Sequence, residues 1–62
     1  MKFKIGKRYR WSPYRYSKDK WKNGILNEIF ETHGMRYGVF VTRDNETWEI
    51  PLSCESLEEY RK

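Results

Sequence analysis

A chain of 62 residues with a formal net charge of +4, 18% aromatic and 35% charged residues, suffices for one small domain, 1–62, and no more. Its single cysteine, Cys54, excludes an internal disulfide, and Cys54 with the single histidine, His33, cannot fill a four-coordinate zinc site, so neither metal nor cofactor is expected. No apolar run approaches the length of a membrane span, and Lys4, Lys7, Arg8 and Arg10 interrupt any signal core, which points to a cytoplasmic protein without a membrane partner.

Residues 3–11 alternate. Phe3, Ile5, Tyr9 and Trp11 fall on one face and Lys4, Arg8 and Arg10 on the other, a period of two that predicts a half-buried strand. Lys7 breaks the apolar face, and Ser12-Pro13 closes the strand because proline lacks the N–H a ladder needs. Residues 12–23 carry no periodicity and read as a long basic, aromatic-rich loop ended by Gly24. Residues 25–31 are short, bounded by turn residues and apolar on both faces (Ile25 and Ile29 on one, Leu26 and Phe30 on the other), as a strand shared by two packed sheets or curled around a small barrel would be.

The chain turns over 32–36. Residues 37–42 give the strongest strand signal, with Tyr37, Val39 and Val41 sharing a face. Arg43-Asp44-Asn45-Glu46 suits a tight hairpin, since Asp and Asn tolerate turn dihedrals. Trp48, Ile50 and Leu52 then alternate along 47–52, where Pro51 demotes the strand to an edge or an end. Ser56-Leu-Glu-Glu59 has capping-box spacing, so one helical turn between Leu52 and Tyr60, followed by a short last strand, completes the reading.

This order resembles the SH3-like small barrel and its bacterial, Tudor-like and KOW-like relatives. Trp48-Glu-Ile-Pro-Leu-Ser53 followed by Tyr60 carries most of the likeness. The resemblance implies an all-β, mainly antiparallel fold: a five-stranded barrel with one short helical turn near the carboxyl terminus. It implies no ligand, because Lys7-Arg8-Tyr9-Arg10-Trp11 stands where peptide-binding SH3 domains carry an acidic, tyrosine-bearing motif.

Charge is segregated along the chain. Nine of the thirteen Lys and Arg residues and six of the eleven aromatic residues lie in the first 24 positions, whereas eight of the nine acidic residues follow Gly24. Catalysis is not expected: no motif brings His33, Cys54 or a serine together as nucleophile and base. The candidate site is Arg8, Arg10, Trp11, Tyr14, Arg15, Tyr16, Lys18, Lys20, Trp21 and Lys22, cations interleaved with rings. Such a set attracts a phosphate backbone and stacks on bases with little sequence preference. Some of these rings must also serve as core, with Tyr9, Trp11 and Trp21 foremost. The competing expectation is a regulator or inhibitor that docks through its bipolar charge on an anionic or basic protein surface.

Overall fold

The computed structural model describes residues 2–12 and 21–60. Alternation of apolar and polar side chains organises them into β1 (Arg8–Trp11), β2 (Lys22–Thr32), β3 (Met35–Val41), β4 (Thr47–Pro51) and β5 (Glu58–Glu59). The strands form one antiparallel sheet in the order β4-β3-β2-β1-β5. The all-β, antiparallel expectation therefore holds. The sheet is not closed, however, because β4 and β5 remain its two edges. No helical turn precedes β5 either. Two tight turns stand there, closed by Cys54 N–H to Pro51 C=O (3.0 Å) and Leu57 N–H to Cys54 C=O (3.2 Å). The Ser56 hydroxyl does not cap a helix. It accepts from Ser12 N–H and donates to Ser12 C=O, each at 3.3 Å.

The inner face of the sheet holds the core: Tyr9 and Trp11 of β1, Leu26 of β2, Phe40 of β3, Ile50 of β4, and Leu57. Phe3, Ile29, Trp48, Leu52 and Cys54 pack around them. Trp11 lies against Phe40 and Trp48, with ring centroids 5.1 and 6.1 Å away, and Tyr9 meets Phe40 nearly edge-on at 77°. Tilted and edge contacts of this kind add about 0.5–1.5 kcal/mol each to what burial contributes.

Departures from the expected elements have local causes. β1 begins at Arg8, not at residue 3, because the chain turns at Ile5-Gly6, where Gly6 takes φ 93° and Lys7 N–H bonds Lys4 C=O. Ile5 is thereby left 64% exposed, while Phe3 returns to pack on Tyr9 at 5.2 Å. β2 starts at Lys22, so Gly24 lies inside a strand and does not end a loop. A methyl group there would sit 2.8 Å from the Val41 carbonyl oxygen and 3.2 Å from Cη2 of Trp11. On β3 it is Gly38 and Phe40 that face inward; Tyr37, Val39 and Val41 do share a face, and it is the outer one.

Both hairpins close as the residue types require. His33 (φ 51°) and Gly34 (φ 76°) join β2 to β3 with the two left-handed residues of a type I′ turn. In the β3–β4 turn Asn45 takes φ 61°, its N–H bonds Thr42 C=O at 3.0 Å, and Glu46 N–H bonds Thr42 Oγ1 at 3.1 Å.

Candidate nucleic-acid interface

Folding undoes much of the charge segregation. Because β5 runs antiparallel to β1, Glu58 comes opposite Arg10 and Glu59 opposite Tyr9. Arg10 pairs with Glu58 and Lys7 with Glu59, while Lys22 reaches Glu46 at 3.2 Å. The Lys7 ammonium is held above its ordinary range, chiefly by its hydrogen bond to Glu59, with desolvation opposing. The two poles expected from the sequence are thus partly interleaved across strands.

The two arginines of β1 lie on the outer face of the sheet. Arg8 and Arg10 alternate with buried Tyr9 and Trp11, so both project away from the core, roughly 6.6 Å apart along the strand. Residues opposite one another share a face, which adds Asn23 (opposite Arg10), Ile25 (opposite Arg8) and Val41 (opposite Ile25). The Arg10 guanidinium stands over the Trp21 ring at 4.8 Å and that of Arg8 over Tyr60 at 5.8 Å. Both rings stay well exposed, Trp21 at 38% and Tyr60 at 41%. Arg8 also donates to Asn23 Oδ1 at 2.7 Å, which fixes its head group beside the ring.

Two depressions cross this face. One of about 250 Å³ is lined by Lys22, Asn23, Asp44, Glu46 and Tyr60 together with Thr42 and Arg43. The other, of about 390 Å³, is lined by Arg8, Ile25, Asn27, Val41, Thr42 and Arg43. Thr42 and Arg43 border both. Among the described residues neither Arg8 nor Arg43 has a carboxylate partner. Farther along the sheet Glu28 and Glu49 stand on either side of Val39, so the outer face turns from cationic to acidic there.

The structure distributes the sequence-predicted residues unequally. Arg8, Arg10 and Trp21 come together on the outer face. Lys22 belongs to the rim, its ammonium 5.4 Å from the Trp48 ring centroid. Trp11 is core, only 2% exposed, and therefore offers no stacking surface. Its indole Nε1 is buried without a hydrogen-bond partner. Trp21, expected among the core rings, is a surface ring. Tyr14, Arg15, Tyr16, Lys18 and Lys20 lie outside the described residues.

Ile25, Asn27, Arg43 and Tyr60 join the site without having been singled out by the sequence. Only alternation carried a signal: it put Ile25 on one strand face, which Asn27, two positions on, shares. The others depend on strand register. Among the described residues no three His, Cys, Asp or Glu side chains cluster as metal ligands, and no helix is long and apolar enough to cross a membrane. Comparison with protein families, curated proteins and solved structures returns no match.

Proposed function

We propose that this chain is a non-catalytic, SH3-like module that binds single-stranded nucleic acid on the outer face of β1 and β2. The observation that carries the reading is the pairing of exposed rings with outward arginines: Trp21 with Arg10 and Tyr60 with Arg8, on neighbouring positions of one strand face. Arginines two residues apart on one strand face, roughly 6.6 Å along the strand, can reach separate phosphates of a single strand laid across that face. The exposed rings supply stacking surface for its bases. Element order supports the SH3-like reading: a long first connection, two tight hairpins, and a last strand that returns beside β1.

Titration of a labelled single strand at several salt concentrations tests this. Two or three phosphate contacts from among Arg8, Arg10 and Arg43 give a logarithmic salt slope of about −1.4 to −2. Binding that ignores salt, or that survives loss of both Trp21 and Arg10, refutes it.

A second reading, a protein-interaction module that regulates a larger assembly, rests on a different patch. Phe30 and Tyr37 stack at 5.3 Å with planes 12° apart, and Met35 beside them is 43% exposed. Retention of a stoichiometric protein partner after nuclease treatment, lost on Phe30→Ser, favours this reading over the first.

A further inference from the structure

Resting on that reading, we infer that the 390 Å³ cleft between the outer face of β2 and the β3–β4 hairpin is a subsite for one unstacked purine nucleotide. The β2–β3 ladder is interrupted beside this cleft. Leu26 pairs with Phe40 and Glu28 with Val39, so Asn27 is an extra residue, without a partner on β3. Alternation sets Asn27 on the outer face with Ile25, at the wall of the cleft, and the bulge leaves it unopposed there while turning Glu28 to the same face. Among the described residues that amide has no protein hydrogen bond, so its donor and acceptor are both open to a ligand.

Ile25, itself 40% exposed, and Val41 form an apolar wall against which the flat face of a base can lie. The groups able to form paired hydrogen bonds are one carboxamide, Asn27, and two guanidiniums, Arg8 and Arg43. A carboxamide matches the N6 and N7 edge of adenine, and a guanidinium the O6 and N7 edge of guanine. No carboxylate, the acceptor that best suits cytosine N4, lines the cleft. Whichever guanidinium does not meet the base is free for its phosphate. The remainder of the interface recognises a strand by charge and stacking, which are indifferent to sequence. This cleft is where preference arises.

The test uses the whole chain and two labelled single strands of equal length, one of alternating A and G, the other of alternating C and U. The purine strand is expected to bind about fivefold tighter, the lower end of what one paired contact discriminates, because the cleft is open to water. Asn27→Ala and Arg43→Ala, checked for native circular dichroism, are expected to bring the two affinities within twofold. Arg10→Ala is expected to weaken both strands alike. Equal affinities for the unmodified protein overturn the subsite and leave strand binding standing. A purine preference that survives both cleft substitutions assigns it to stacking on Trp21 and Tyr60, and overturns the subsite equally. Failure of both strands to bind at low salt removes the nucleic-acid reading itself, and the subsite with it.

Discussion

Replacing Gly24 with alanine probes the seam on which both core and interface depend. Gly24 sits opposite Tyr9 in β2, and its missing side chain makes room for the indole of Trp11 and the backbone of Val41. At a permissive position Gly→Ala stabilises a protein by about 0.4–1 kcal/mol, because the unfolded chain loses freedom. Here a new methyl would stand 2.8 Å from the Val41 carbonyl oxygen, an atom held in the β2–β3 ladder and unable to move aside alone. Overpacking costs roughly 1–3 kcal/mol, and contact with backbone argues for the upper half. A net loss of about 2 kcal/mol lowers the Tm of a domain this size by roughly 8–16 °C. Thermal unfolding followed by circular dichroism, with the change in Trp fluorescence as a second probe, measures it. An unchanged or raised Tm would mean that β1, β2 and β3 do not meet in this register.

Trp11 supplies a second core test: Trp11→Ala, a loss of about 3–5 kcal/mol, is expected to unfold so small a domain, whereas Trp11→Phe keeps the ring packing and removes an indole N–H that has no partner. Equal damage from the two substitutions contradicts that contrast. Glu58→Gln removes the Arg10 pair and is expected to cost no more than about 1 kcal/mol, since both groups are solvent-exposed; a larger fall in denaturant midpoint at constant slope shows that β5 depends on the pair. The Lys7 ammonium is held above its ordinary range by Glu59, so its stabilising contribution is present at neutral pH and is lost as pH rises through the raised value. The Tm difference between the parent and Lys7→Met should therefore shrink in strong alkali, and a difference that grows there contradicts the sign.

The sequence made some elements plain and concealed others for physical reasons. β3 and β4 were legible because alternation, β-branched residues and Asp44-Asn45 agree with one another at every level. β1 was overextended because alternation from Phe3 says nothing of a turn at Ile5-Gly6. The start of β2 was hidden because Gly24 reads as a loop residue, whereas here glycine marks a close approach of Trp11 and Val41. The terminal helix was misread because Ser56 spends its hydroxyl on Ser12, a partner 44 positions away that no local spacing reveals. Arg8, Arg10 and Trp21 were found as site candidates from local composition. Arg43 and Tyr60 were not, because they reach the same face only through the register of β2 with β3 and the return of the chain beside β1.

Charge was read correctly along the chain and incompletely in space. Antiparallel return of β5 sets Glu58 and Glu59 beside β1, so Lys7 and Arg10 meet acids that are remote in sequence. Among the described residues the cationic part of the outer face stops where Glu28 and Glu49 begin.

Mapping backbone amide shifts in an NMR titration with a short single-stranded oligonucleotide tests the central claim most directly. The account predicts shifts at Arg8, Arg10, Trp21, Asn23, Ile25 and Tyr60, diminishing toward Glu28 and Glu49 and weakening as salt is added. Shifts confined to Phe30, Met35 and Tyr37, or none at low salt, would contradict it.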